Sequence, residues 1–407
     1  MAGQHVTEPT AQGSAHEGGI TARRVFLGTS GLYLALYLHY GFFAFIPLWL
    51  KHIGAEPREI GILLAIPMVL RLLTVAPFAA WAGRRGRVRD AIMVTAVLSA
   101  ALVTLLLAEP GYAGRLAVVL VFAIVWDQLP VLTDAYATMA ARSRELDFGR
   151  MRVWGSIGVV LSTASAGWVY DQLGIETLPI LVAVLLLLPT VVPLLLPSDR
   201  RMVVHEPAAT QGSWRDVIRD RTLLRAMIAA ALIMGSHGVL QSFAAIQWSA
   251  RGISTSTIGL LQALAVVAEI GAFWFGATVL GRRDPIVLIC IAAVAATLRW
   301  TVMASDPGLG VLVATQLLHS ITSTGAILGT MLVIAQRVSV RNNAAAQGLN
   351  AVLVGVGLAA TTAGSGLLWS YGVTVAYLAM AALSALAIVV AWPRKTAAPV
   401  IVEEAVS

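Results

Sequence analysis

Residues 258–280 read IGLLQALAVVAEIGAFWFGATVL, an apolar run broken by Gln262, Thr278 and one carboxylate, Glu269. A helix that is apolar on every side belongs in lipid or in the centre of a large core. About 20 such residues cross the hydrocarbon of a bilayer. The chain supplies twelve runs of this kind, at 25–50, 58–82, 90–109, 115–140, 152–173, 177–196, 223–249, 256–280, 285–303, 309–336, 344–368 and 372–392. Lipid offers no hydrogen bonds to the backbone, so runs of this length are helices. The expected fold is therefore all-α and integral to the membrane, with twelve transmembrane helices.

Composition agrees. Charged residues are 12% of the 407, hydrophobic ones 58%, and mean hydropathy is +0.81. A soluble domain carries about a quarter charged residues. The single cysteine, Cys290, rules out an intrachain disulfide and suggests no metal cluster. No cofactor is expected.

The longest break between runs holds Asp199, Arg200, Arg201, Glu206, Arg215, Asp216, Arg219, Asp220 and Arg221. It divides the spans into two sets of six. The expected organisation is a disordered cytoplasmic tail over 1–22, a six-helix half over 23–196, a cytoplasmic linker over 197–222, a second six-helix half over 223–393 and a cytoplasmic tail over 394–407. The first twenty residues are polar and small and hold no h-region of a removable signal peptide.

Charge placement sets the orientation. Of the 28 Lys and Arg, Lys51, Arg58, Arg115 and Arg251 fall on one side, and Arg71 and Arg299 lie within spans. The others gather on the opposite side, which the positive-inside rule makes cytoplasmic. Both termini are then cytoplasmic, and the protein is a multi-pass resident of the cytoplasmic (inner) membrane. The asymmetry also explains a pI near 10.0 without any nucleic-acid partner.

A sparse repeat links the halves. Gly54, Ile60–Gly61 and Gly83–Arg84–Arg85 recur as Gly252, Ile258–Gly259 and Gly281–Arg282–Arg283, each 198 residues on, and the same displacement carries Arg71 onto Glu269. Two pseudo-symmetric halves related in parallel are a transporter architecture, with the substrate site near the midplane between them.

Polar residues inside the spans are the candidate site. An ionised group at mid-bilayer costs about 2.5–3.5 kcal/mol on insertion scales and faces a bundle interior or water. Glu269 is read as a proton-coupling group, against a static pair with Arg299 or Arg71. Arg299 near the end of its span has snorkelling as its alternative. His319 shares a helix face with Thr315, Thr322 and Ser323 and joins Glu269 and Arg299 as a proton-handling residue, against simple packing. His237 and His39 are weaker candidates of the same kind. In the first half, Asp127 and Asp134 lie seven residues apart on one expected helix face. Asp134 can pair with Arg152 across a cavity, or both belong to the basic cytoplasmic rim.

The stretch PVLTDAYATMAARSRELDFGRMRVWGSIG, the series VVAEI, LRW and QLLHS, and WLKHIG followed by REIGILL resemble the major facilitator superfamily, specifically the group around phenylpropionate and lactose permeases. The resemblance covers nearly all spans. It implies substrate binding by Asp134 and Arg152, and a glutamate, Glu269, that helps bind substrate and is coupled to protonation, with Arg299 and His319 beside it. Arg71 and His237 look like phenylpropionate-type features and are expected, with Asp134 and Arg152, to bind substrate. Two positions depart from the group. Thr322 stands one turn after the histidine, where lactose permease has a carboxylate, and WAGRRGRVRD lacks the acidic residue usual in the loop after the second span.

The expectation is a proton-coupled symporter, not an enzyme, that imports a small organic solute by alternating access. An aromatic carboxylic acid such as 3-phenylpropionate is the substrate the resemblance implies. A sugar or nucleoside symporter and a proton-driven efflux antiporter are the alternatives. The proton gradient takes the place of a cofactor, the partners are the solute, protons and lipid, and a monomer is expected. A membrane enzyme is disfavoured, since no nucleotide loop, metal cluster or nucleophile triad stands in the soluble segments. A transporter-like receptor would bind without turnover.

Overall fold

A computed structural model of the protein describes residues 21–198, 213–280 and 284–392. The tails assigned to 1–22 and 394–407, and most of the linker, lie outside these residues except at their edges. The first half contains α1 (Ala22–Phe43), α2 (Ile46–His52), α3 (Pro57–Arg84), α4 (Val88–Thr104), α5 (Tyr112–Trp126), α6 (Gln128–Arg144), α7 (Phe148–Leu173) and α8 (Leu178–Val191). A short α9 (Trp214–Arg219) precedes the second half. That half contains α10 (Arg221–Gly235), α11 (Gly238–Ala250), α12 (Thr255–Leu280), α13 (Pro285–Ala304), α14 (Leu309–Arg337), α15 (Asn343–Ser370) and α16 (Val373–Ala391).

Several expected spans are interrupted. α1 and α2 meet at a bend of 41° and together have the length and apolarity of one span. α5 and α6 join at Asp127, and α10 and α11 at Ser236–His237. Among the described residues, nine helical segments are long and apolar enough to cross a bilayer, ten with the bent pair. The other two of the expected twelve are α3 and α7, with 28 and 26 residues. Both have the length. α7 is the more polar, because Gly155, Gly158, Ser162, Thr163 and Gly167 occupy its packing faces.

Those small residues have a physical purpose. Helices in lipid gain no hydrophobic drive from meeting one another, so they associate through close backbone approach. Gly41 of α1 lies against the backbone of Ser162 and Thr163, where a Cβ would overlap main-chain atoms, and its N–H donates to Ser162 Oγ at 3.1 Å. Gly41→Val is therefore expected to separate α1 from α7 and abolish folded protein, read as loss of the monodisperse peak in fluorescence-detected size exclusion.

The packing has a pseudo-twofold. In the first half α1 packs on α7, α4 on α8, and α3 on α5 and α6; in the second α10 packs on α15, α13 on α16, and α12 on α14. The halves join through α3 against α15 and α7 against α12, pairs that the same axis exchanges. The sequence repeat now has a cause. Gly54 and Gly252 both adopt left-handed backbone, with φ of +78° and +79°, the conformation glycine adopts without steric cost. Gly61 meets the carbonyls of Thr362 and Ala363 on α15, and Gly259 meets Thr163 and Gly167 on α7. One repeated pair, Gly54 and Gly252, forms the turns, and another, Gly61 and Gly259, is where the halves touch.

Helices α1 and α16 respectively begin and end at one face of the bundle, termed here the terminal face. The contacts just described lie toward the opposite face. There Asp171, in the last turn of α7, accepts the backbone N–H groups of Thr255 and Ser256 at 3.0 and 2.8 Å, and both of their hydroxyls. A residue of one half thus caps the first turn of α12 in the other. At the terminal face Asp220 caps α10 and pairs with Arg337 at 2.8 Å, and Ser213 donates its N–H to Asn342.

Candidate functional site

The intramembrane polar residues form three groups. In the first, Arg152 Nε lies 3.5 Å from Asp134 Oδ1. The Tyr33 hydroxyl donates to the same oxygen at 2.6 Å, and an Arg152 Nη–H donates to the Tyr37 hydroxyl at 3.1 Å. The guanidinium also lies over both tyrosine rings, 5.3 and 4.9 Å from their centroids. Asp134 and Arg152 are thus brought together, and each charge already has partners.

The second group is in the other half. Glu269 Oε2 lies 3.7 Å from His319 Nε2, and Oε1 accepts the Ser323 hydroxyl. Arg299 donates to His319 Nδ1, at 3.1 Å, and to Gln316 Oε1 at 3.3 Å. Because Arg has only donors, His319 accepts at Nδ1 and turns its Nε2–H towards Glu269. The expected static pairs of Glu269 with Arg299 or Arg71 are not formed; His319 stands between the first two. Arg299 does not snorkel. It is 0% exposed, with Trp300 stacked 4.6 Å from its guanidinium carbon. Gln316 and the Trp300 ring hold it inward. His237 lies beside His319, ring centroids 5.2 Å apart, and hydrogen-bonds Thr322 at 3.2 Å. Thr322, where a carboxylate was expected from the family pattern, is a fixed partner of His237.

The third group surrounds a cavity of about 590 Å³. Its wall includes Tyr40, Phe43, Trp49, Phe122 and Trp126, while Arg71, Arg115, Asp127, Gln241, Ser242 and Thr362 supply polar atoms. Phe43, Phe122 and Trp126 stack mutually at 5.0–5.6 Å. The lining runs from Arg71, halfway along α3, to residues near the opposite face, and takes Gln241, Ser242 and Thr362 from the second half. Arg115 is held by Glu59 at 3.4 Å. Arg71 has neither hydrogen bond nor ion pair among the described residues. It is a mid-span cation, exposed to the open space in front of it.

Sequence reasoning treated Asp127 and Asp134 as one face of a continuous helix. The junction between α5 and α6 separates them: Asp134 faces Arg152, whereas Asp127 lines the aromatic cavity. The aromatic wall was also missed. Its one local signal is the i, i+4 spacing of Phe122 and Trp126, since the other rings come from α1 and α2. His39 accepts the Trp126 indole N–H at 2.8 Å and so fixes the wall rather than lining it.

A family model described as "MFS_1 like family" matches residues 27–379. The chain is 30% identical over 349 residues to a probable 3-phenylpropionic acid transporter of Escherichia coli (strain K12), covering 83% of this chain and 90% of the relative. It is 24% identical over 333 residues to a maltose permease of Geobacillus stearothermophilus, covering 80% and 82%. Among solved structures, the nucleoside transporter NupG superposes with a TM-score of 0.74 at 14% identity, covering 90% of this chain and 97% of that one. A bacterial homologue of the human lysosomal transporter Spinster, inward-facing and unoccupied, gives 0.69 at 15% identity, covering 91% and 95%. At these identities the structural likenesses establish the fold.

Proposed function

The chain belongs to the MFS_1 like family, a family of membrane transporters and not of enzymes, and on that premise we propose that it is a proton-coupled symporter importing an aromatic carboxylic acid, with 3-phenylpropionate as the type substrate. The observation that carries this reading is Arg71. An unpaired cation at mid-bilayer, in a cavity walled by aromatic rings, matches a ligand with one carboxylate and one ring. The cavity is large enough, since ligand sites of this kind run from about 300 Å³. The 30% identity to a probable 3-phenylpropionic acid transporter supports the same class.

Orientation follows the basic residues, with the terminal face cytoplasmic. The structure's closure at the opposite face then corresponds to an inward-facing carrier. Asp134 and Arg152 lie towards the terminal side of Arg71 and line the exit, where their mutual pairing leaves Arg71 to hold the carboxylate. Glu269, His319 and Arg299 couple the cycle to protons, and His237 positions His319. The distant relationship to a maltose permease keeps a sugar as the alternative. A sugar would need a dense set of hydrogen-bonding groups, and most of this wall is apolar.

The test is external pH in a lightly buffered, energy-depleted cell suspension. Protein-dependent alkalinisation on adding 3-phenylpropionate, and none with maltose or a nucleoside, is the expected result. Acidification would make the protein an efflux antiporter, and silence with aromatic acids but a response to a sugar would replace the substrate. Arg71→Gln is expected to raise KM for the acid about 30-fold, the loss of one charge-assisted pair worth ~2 kcal/mol, measured as initial uptake rate against concentration.

A further inference from the structure

Three polar atoms lining the aromatic cavity are buried without any hydrogen-bond partner: Asp127 Oδ2, Ser242 Oγ and Thr362 Oγ1. Asp127 is 4% exposed, and Ser242 and Thr362 are fully buried. They come from both halves and share the cavity with the unpaired Arg71. Native structures rarely leave such groups unsatisfied except where a ligand, ion or water completes them.

The charges decide what completes them. Arg71 and Asp127 together are neutral and are too far apart to form an ion pair. The other titratable group near Asp127 is Tyr40 on α1; Arg115 is neutralised by Glu59, and α11 and α15 offer only Gln241, Ser242 and Thr362. A carboxylate ligand placed on Arg71 would leave Asp127 as an uncompensated anion beside it, in surroundings that solvate charge poorly. A proton on Asp127 removes that anion and turns the side chain into a hydrogen-bond donor for the ligand.

We propose that Asp127 is a second proton site, filled together with the substrate carboxylate on Arg71, and separate from the Glu269 group. This rests on the aromatic-acid reading above. The anion then enters with one proton at Asp127 and another at Glu269, so a cycle carries one net positive charge inwards.

The experiment is calorimetry of ligand binding to the purified protein in nanodiscs, run in two buffers of different ionisation enthalpy to count protons. The Glu269→Gln background isolates the site. There, 3-phenylpropionate is expected to draw in about one proton per molecule bound at alkaline pH. Its affinity should fall tenfold per pH unit once Asp127 ionises, the slope of one linked proton. With Asp127→Asn added, proton uptake should vanish and affinity should stay flat with pH. The uncharged analogue 3-phenylpropan-1-ol, tested with Asp127 intact, should bind without proton uptake, and this arm decides the matter if the Asn variant does not fold. Undiminished uptake in the double variant, or equal uptake with the alcohol, would overturn the proposal. So would preferred binding of phenylalanine without a proton, which would make Asp127 an ammonium acceptor. Failure of the parent protein to bind any aromatic acid at any pH would overturn the functional reading instead.

Discussion

Glu269→Gln is expected to abolish accumulation driven by membrane potential while preserving exchange of substrate across the bilayer. The glutamine keeps the size of the side chain and still accepts the Ser323 hydroxyl, so the bundle should assemble unchanged. On the proposed coupling, what it removes is the ability to alternate between a charged and a neutral state. In the parent protein the carboxylate faces the His319 Nε2–H at 3.7 Å, itself oriented by Arg299. Protonation releases that attachment and leaves a neutral group that can change its surroundings at low cost. A permanently neutral residue permits reorientation but carries no proton. With Asp127 still neutralising the ligand, the remaining cycle moves no net charge. A potential of 100 mV acting on one charge is worth about 2.3 kcal/mol, or roughly a 50-fold accumulation. In proteoliposomes at equal pH on both sides, a potassium diffusion potential should thus give that accumulation with the parent protein and none with Glu269→Gln. Counterflow of labelled substrate should persist. Accumulation by the variant under potential alone would remove Glu269 from coupling.

Much of this site was legible in the sequence for one reason: lipid makes charge conspicuous. Glu269, Arg299, His319, Arg71, Asp134 and Arg152 stand out because each interrupts or borders an apolar run, and the structure brings the first three together and pairs the last two. The glycine repeat was equally legible, since left-handed turns and backbone contacts between halves tolerate few other residues. The order of partners was not. Whether Glu269 meets Arg299 or His319 depends on how α12, α13 and α14 are rotated about their axes, and apolar runs that face lipid on one side and protein on the other carry a weak rotational signal. The break that parts Asp127 from Asp134 did have a local mark, Pro130, which has no N–H to give the Trp126 carbonyl, but a proline within an apolar span does not by itself say that the helix stops there. The aromatic cavity was invisible because its rings come from α1, α2 and α5, and only tertiary packing gathers them.

The contact between the halves predicts the other large effect. Gly167 lies against the Thr255 carbonyl of α12, and its symmetry mate on the other seam, Gly366 of α15, lies against the backbone of Pro57 and Arg58. No side chain fits at either place while the opposite face is closed. Replacing both glycines by Trp should therefore hold that face open. Transport should stop, because a carrier unable to close on one side completes no cycle, yet the helices within each half keep their own packing and the protein should still fold. Asp171 provides a graded version of the same test. As an N-cap supplied by the other half, it stabilises the closed face by ~1 kcal/mol, so Asp171→Ala should shift the equilibrium about fivefold towards opening without blocking it. Spin labels on the ends of α7 and α12 at this face, read by electron–electron double resonance, separate the cases. The Trp pair should give only the long distance, Asp171→Ala a mixture enriched in it, and the parent mainly the short one. A short distance retained by the Trp pair would mean that these seams yield without opening, and that the halves move about contacts elsewhere.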